Sequence, residues 1–85
     1  MIFYHGTSQK NWESIKKEGV LFGVRDAPDR CTYLATDQEE AKVYGDVVLE
    51  VNYDPFKNPR DNNYCEGCWQ VRVYEPIPIS EIKVL

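Results

Sequence analysis

The first strand candidate is Ile2-Phe3-Tyr4-His5-Gly6-Thr7-Ser8, at the beginning of the 85-residue chain. Its apolar and aromatic residues predict a short buried strand, and the apolar pattern stops at the His-Gly-Thr sequence. Gly6 has no Cβ, so another group can approach its backbone closely. Ser8 can accept hydrogen bonds from the free N–H groups of a helix that follows. The stretch therefore predicts either a plain strand end with a capping turn or one wall of a site.

Two helices are predicted beyond this strand. The first is expected over residues 11–18, with Asn11 as its N-cap and Gly19 directly after its end. The second is expected to begin with a capping box of Thr36 and Glu39 and to stop at Gly45.

Five further segments predict strands. The longest of them alternates apolar with polar residues, as a strand with one buried and one wetter face should. Polar, turn-rich stretches at 23–30 and 54–63 predict loops, and the first is either a plain connection or a rim over a site. The order β-α-β-β-α-β-β-β indicates one small α+β domain over residues 1–85, with antiparallel pairing. The five segments are 20–22 (a short strand or a hook), 31–35, 46–53, 69–74 and 82–85.

Composition limits the classes of function. A hydrophobic content of 42% with 28% charged residues is typical of a soluble globular domain. Six tyrosines and two tryptophans predict a core with aromatic walls, suited to a flat ligand. The net charge of −4 comes without any basic run, so no nucleic-acid partner is expected. No apolar run approaches the ~20 residues that span a bilayer, and no charged leader precedes the first strand, so we expect a cytoplasmic protein without membrane association.

Four pieces of the sequence, in this order, resemble motifs of the ADP-ribosyltransferase superfamily. Tyr4-His5-Gly6-Thr7 looks like the first-strand motif, whose His holds the NAD ribose while the glycine backbone binds the nicotinamide amide. Residues 12–21 resemble the helix, glycine and hydrophobic pair that follow it. Tyr33-Leu34-Ala35-Thr36 and Tyr44-Gly45 look like the second motif, whose Tyr stacks on nicotinamide. Gln70-Val71-Arg72-Val73-Tyr74 is similar to the third motif of the poly(ADP-ribose) polymerase-like branch.

The resemblance implies a fold of split antiparallel β-sheets with two short helices, and NAD as the substrate. It further implies a mono-ADP-ribosyltransferase that transfers ADP-ribose to a macromolecular acceptor, in the first place a protein, and releases nicotinamide. A chain of this size would suit a viral or toxin-type effector that acts in the host cytoplasm. Catalytic roles fall to His5, Tyr33 and Gln70, and NAD contacts to His5, Gly6, Thr7, Tyr33, Thr36 and Tyr44.

Gln70 departs from the family pattern, because the transferases carry Glu at this position. That Glu accepts a hydrogen bond from the ribose 2′-hydroxyl and stabilises positive charge on the opening ribose. An amide oxygen can accept the bond without supplying a charge, and charge-assisted hydrogen bonds are about twice as strong. Glu66 lies about 13 Å upstream along an extended strand, and Glu75 lies on the opposite face. Polymer elongation is therefore not expected, and a catalytically inactive binding or inhibitory module is the main alternative to a mono-transferase.

A second alternative is an enzyme that acts on RNA 2′-phosphate, since such enzymes share the fold and begin with a similar His-Gly-Thr. That branch uses several arginines, whereas this chain is acidic and has few. Arg25, Arg30 and Arg72 are the candidates for contact with a phosphate or pyrophosphate, and an ordinary surface role is the competing interpretation of each.

The Cys65-Glu66-Gly67-Cys68 sequence raises the question of a metal site. A structural zinc needs four thiolate or imidazole ligands, and only Cys31 and His5 remain to complete the set. His5 would then be lost to the ligand site. We therefore expect no metal, and either free thiols or a Cys65–Cys68 redox pair.

Overall fold

Two antiparallel sheets and two short helices make up the described part of the chain. The structure is a computed structural model that describes residues 1–23, 31–56 and 70–85. The elements are β1 (Ile2–Thr7), α1 (Gln9–Glu18), β2 (Val20–Leu21), β3 (Thr32–Ala35), α2 (Gln38–Lys42), β4 (Val47–Asn52), β5 (Gln70–Val73), β6 (Ile77–Pro78), a 3₁₀ turn (Ile79–Glu81) and β7 (Ile82–Val84). Five strands form one sheet in the order β5-β3-β1-β4-β7, and β2 pairs with β6 in a second. The prediction of a small α+β fold with antiparallel pairing is confirmed.

Strand β1 lies at the centre of the larger sheet, but its two neighbours pair with it to different extents. It pairs with β4 along its whole length, from Ile2 opposite Asn52 to Thr7 opposite Val47. With β3 it pairs at one position, Tyr4 opposite Ala35. The ladder between β1 and β3 therefore stops just before the His-Gly-Thr sequence.

The main core lies on one face of the five-stranded sheet. Phe3 on β1 is 1% exposed, and Trp12 and Ile15, one turn apart on α1, pack against the same cluster, as their spacing predicts. Burying one such side chain contributes about 1.5–3 kcal/mol to folding. The other cluster members are Leu21, Leu34, Leu49, Val51, Tyr53, Val71, Val73 and Ile77.

The opposite face of the sheet holds a smaller cluster, under helix α2. Ala35, Ala41 and Val48 are buried there, and Tyr4 packs against them. Because these side chains are small, α2 approaches the sheet closely while leaving space beside it.

Helix α1 begins two residues before the predicted start. Its N-cap is Ser8, whose hydroxyl oxygen accepts a hydrogen bond from the Asn11 N–H at 3.1 Å. The assignment of Asn11 as the cap is wrong, because Ser8 already has the extended backbone and the acceptor that a cap needs. The end at Gly19 is confirmed: its φ of 78° is left-handed, and its N–H donates to the Ile15 carbonyl at 2.8 Å.

Helix α2 is also capped by a neighbour of the predicted residue. The carboxylate of Asp37, rather than Thr36, accepts from the Glu39 N–H at 2.8 Å. A charged acceptor at a helix N-terminus satisfies a free N–H and interacts favourably with the helix dipole. The predicted capping box is therefore wrong, and the helix ends at Lys42, before Gly45.

One strand was not predicted. Pro78 was expected to break the chain, but it belongs to β6 and lies opposite Val20 of β2. A proline is tolerated in a sheet of two strands because both are edges. None of the described helices is long and apolar enough to cross a membrane. The predicted roles of Arg25, Arg30, Cys65, Glu66 and Cys68 concern positions outside the described residues.

Candidate functional site

A cavity of about 460 Å³ opens beside α2, where the ladder between β1 and β3 has stopped. Its volume falls in the range of small-molecule sites, about 300–1,000 Å³. Strands β1, β3 and β5 contribute to it, together with α2 and the residues after that helix. The described lining residues are Tyr4, His5, Gly6, Tyr33, Ala35, Ala41, Tyr44 and Gln70.

Three of these residues form one row across the sheet. Tyr4 on β1 lies opposite Ala35 on β3, and Ala35 lies opposite Gln70 on β5. Side chains at directly opposite positions share a face, so the row lies on the α2 face. A tyrosine and a glutamine therefore stand on either side of a methyl group.

His5 bridges the two strands at the point where they stop pairing. Its Nδ1 lies 2.9 Å from the Tyr33 carbonyl oxygen. Because a carbonyl can only accept, Nδ1 carries the proton, and Nε2 is an acceptor in the neutral ring. Burial lowers the pKa of His5, and the bond to Tyr33, which favours the protonated ring, offsets this only in part. At neutral pH the cavity therefore presents an uncharged imidazole.

Two exposed tyrosines stand at the cavity. Tyr33 is 49% exposed and Tyr44 is 58% exposed, although both line the cavity. The pKa of Tyr33 is raised, chiefly by a hydrogen bond with the Cys31 side chain and then by the charge of a Cys31 thiolate. Part of each ring is therefore accessible to a ligand, and the Tyr33 phenol stays protonated at neutral pH.

Two glycines hold the end of α2 against β1. A Cβ on Gly6 would overlap the Ala41 carbonyl oxygen and lie 3.3 Å from the Tyr44 Cβ. A Cβ on Gly45 would overlap the carbonyl oxygen of Thr7. The group that approaches Gly6 closely is therefore this helix. Together the two contacts fix the position of the Tyr44 Cβ, from which its ring projects.

Two predicted NAD contacts, Thr7 and Thr36, are not among the lining residues. Thr7 is 6% exposed at the end of β1 and does not line the cavity. Thr36 follows the last residue of β3 and does not line it either. The structure thus brings together His5, Gly6, Tyr33, Tyr44 and Gln70 from the predicted set.

No charged side chain is among the described lining residues. Glu75 accepts a hydrogen bond from the hydroxyl of Tyr53, a core residue, at 3.2 Å, and it does not line the cavity. Arg72 lies opposite Tyr33 in the register, on the cavity's face but outside its lining. The side-chain acceptors that the described lining residues offer are therefore neutral.

Sequence reasoning missed three lining residues. Tyr4 lies two positions before Gly6 on β1, and Ala35 lies two positions after Tyr33 on β3. Because alternate residues of a strand share a face, the sequence could have identified both as lining residues. Ala41 carries no such signal, because its place depends on how α2 docks on the sheet.

Searches among protein-family models, curated proteins and solved structures find no match to this chain. The case for a function therefore depends on the sequence motifs and on the geometry of the cavity.

Proposed function

We propose that this chain is a mono-ADP-ribosyltransferase-like protein, which binds NAD in the cavity and transfers its ADP-ribose to a protein acceptor with release of nicotinamide. One observation carries the proposal: residues singled out in three separate sequence motifs line one cavity. These residues are His5, Gly6, Tyr33, Tyr44 and Gln70. The same proposal includes an ADP-ribosyltransferase-like arrangement of the two sheets. It also includes action in the cytoplasm, which for an effector would be the cytoplasm of a host cell.

The lining suits the nicotinamide end of NAD. The nicotinamide ring of NAD is flat and positively charged, and the faces of tyrosine rings attract cations as well as flat rings. Tyr33 and Tyr44 would supply such faces. Because His5 is uncharged at neutral pH, it adds no repulsion. Gly6 also lines the cavity, and we place the carboxamide at its peptide N–H and C=O groups, since α2 meets Gly6 on the side of the Cα.

The proposed reaction breaks the bond between the nicotinamide nitrogen and ribose C1′. Nicotinamide leaves with the bonding electron pair as a neutral molecule, and its positive charge passes to the ribose. A nucleophile of the acceptor then bonds to C1′ and releases its proton to water. His5 Nε2 and Gln70 Oε1 would accept hydrogen bonds from the ribose hydroxyls and hold the ring. Positioning and fixed dipoles can supply much of the rate enhancement of such a reaction.

A non-catalytic NAD-binding module is the second candidate. The observation in its favour is that the described lining residues include no carboxylate to stabilise the charged ribose. A neutral Gln70 can orient a hydroxyl, but it opposes positive charge less strongly than a Glu. Both candidate functions use the same NAD-binding site, and they differ only in whether NAD is turned over.

Release of labelled nicotinamide from NAD, with lysate proteins as acceptors, separates the two candidates. For the transferase, Gln70→Ala should lower the rate by ~10²–10³-fold, the usual cost of one preorganised group, and Gln70→Glu should hold or raise it. Gln9→Ala is a matched control, because Gln9 bonds to Glu13 on α1, away from the cavity. Background turnover in the parent and in Gln70→Glu would contradict the transferase. Activity only with 2′-phosphorylated RNA would identify the RNA-directed alternative.

A further inference from the structure

A second cavity, of about 300 Å³, lies against β4 at the other flank of α2 and shares no lining residue with the first. We propose that this second cavity binds a free aliphatic amino acid, whose carboxylate meets the Lys42 ammonium and whose ammonium meets the Asp46 carboxylate. The inference goes beyond the proposed function and does not depend on it, because no residue of the proposed NAD site takes part. The described residues that line the second cavity are Gln38, Lys42, Gly45, Asp46, Val48 and Leu85.

Two opposite charges among the described residues line the second cavity, and they are not paired with each other. The Lys42 Nζ lies 3.0 Å from Glu39 Oε1, three residues back on α2, rather than on Asp46. The side chains of this pair are 51% and 77% exposed, and such exposed pairs are weak. An ammonium has three N–H donors, so Lys42 can bind a ligand carboxylate and keep this contact. Asp46, exposed between α2 and β4, can accept from a ligand ammonium.

Backbone contacts fix the walls around these two charges. The Leu85 N–H donates to the Val48 carbonyl at 3.0 Å, which holds the residue after β7 against β4. Leu85 is still 50% exposed, so its side chain offers apolar surface to a ligand. At the end of α2, Gly45 lies so close to the Thr7 carbonyl that an added Cβ would overlap it. The charged side chains therefore project from a backbone that is already in place.

The lining favours a ligand that carries both charges. One ammonium and one carboxylate leave the charged lining residues with no net charge, and the Asp46 carboxylate would repel a phosphate dianion bound by Lys42. The amide of Gln38, four residues before Lys42 on the same face of α2, both donates and accepts. A volume of about 300 Å³ is at the lower end of small-molecule sites and suits a molecule of amino-acid size. Because the Leu85 side chain is apolar, we assign an aliphatic side chain to that amino acid.

L-leucine and two of its derivatives test this assignment on the full chain by NMR titration. Leucinamide lacks the carboxylate, and N-acetylleucine lacks the ammonium. L-leucine should shift the amide signals of Lys42, Gly45 and Asp46. Each derivative should bind about fivefold more weakly, the upper value for one exposed ion pair. Lys42→Gln should abolish the preference for L-leucine over leucinamide, and Asp46→Asn should abolish the preference over N-acetylleucine.

Lys16→Gln is the matched control, because Lys16 pairs with Glu13 on α1 in the same i,i+3 arrangement and at the same distance, 3.0 Å. It should leave the affinity for L-leucine and both preferences unchanged. Absence of shift changes at Lys42, Gly45 and Asp46 with L-leucine near its solubility limit overturns the proposal, and so does equal binding of the three probes. If either variant fails to fold, the three probes on the parent chain decide by the same criteria. Because NAD is not among the probes, neither outcome bears on the proposed NAD site.

Discussion

The chain's one histidine lies where two strands of the central sheet separate, and its tautomer is set by a backbone carbonyl. Since the pKa of His5 is lowered by burial, we expect its ring protons to titrate below the ordinary value of 6.5. A single histidine gives a single set of imidazole signals, so a proton and nitrogen-15 NMR titration reads this pKa and the Nδ1–H tautomer directly. A pKa above 6.5, or a proton on Nε2 alone, would contradict the proposed acceptor role.

The same lowered pKa predicts how stability and binding depend on pH. A group whose pKa is lower in the folded state takes up a proton on unfolding. The contribution of His5 to the free energy of unfolding is therefore present above pH 6.5, and it is lost as the pH falls through the folded-state pKa. NAD affinity should fall over the same range, because the protonated ring loses its acceptor and repels a cation. Affinities measured between about pH 8 and about pH 5 should decline toward acid in the parent. In His5→Gln, which keeps a polar side chain, this decline should be absent.

Tyr33 tests whether an exposed ring serves the ligand or the fold. Because it is 49% exposed and lies outside the core clusters, Tyr33→Ala should leave the chain folded. The same change should weaken NAD binding by about 5- to 150-fold, the range expected for one stacked base, whereas Tyr33→Phe should keep most of it. Thermal unfolding and calorimetric titration of the two variants check this. Unfolding of Tyr33→Ala, with normal ligand response in the folded fraction, would make Tyr33 a structural residue only.

At the scale of elements, helix α2 positions the Tyr44 ring through backbone contacts rather than through large side chains. Gly45→Ala would place a Cβ on the Thr7 carbonyl oxygen, so the end of α2 must move away from β1. We expect NAD affinity to fall by about tenfold or more, as for a misplaced contact of a binding site. In the ligand-free protein, the NMR contacts between Gly6 and Tyr44 protons should weaken.

Gly19→Ala is the control for general destabilisation in this experiment. Gly19 has a left-handed φ of 78° but no atom within 4 Å of an added Cβ, so alanine there costs about 1 kcal/mol of backbone strain without a clash. It should lower the unfolding temperature and leave NAD affinity unchanged. If affinity falls in both variants in proportion to their loss of stability, α2 has no specific positioning role.

Apart from β6, the helices and strands were predictable from the sequence to within a few residues. The acceptor role of Ser8 and the end of α1 at Gly19 were predicted as well, but the choice of N-cap residue was not. The N-caps are Ser8 rather than Asn11, and Asp37 rather than Thr36. Both caps have an extended backbone conformation directly before the first helical residue. Several neighbouring residues had a suitable side chain in both places, so residue type alone cannot choose among them. The same limit applies to Pro78, whose place in β6 depends on its partner strand being short and at an edge.

At the scale of the whole molecule, the sequence predicted which residues lie together at the site, but it did not predict the cavity that they line. His5, Tyr33 and Gln70 were predicted as one site, and all three line the cavity. The cavity itself comes from the single pairing of Tyr4 with Ala35 and from the docking of α2, which are long-range features of the sheet. Local periodicity contains no information on where a ladder between two distant strands stops.

The binding of NAD at the split between β1 and β3 is tested most directly by NMR titration of the parent chain with NAD. The largest shift changes should come from residues of the cavity lining and from the ligand's nicotinamide protons, and His5→Gln should reduce them. The exposed Gln9 and Glu13 on α1 should stay unperturbed. No shift change at saturating NAD, or changes centred on α1 and the core face, would contradict the assignment of this cavity as an NAD site.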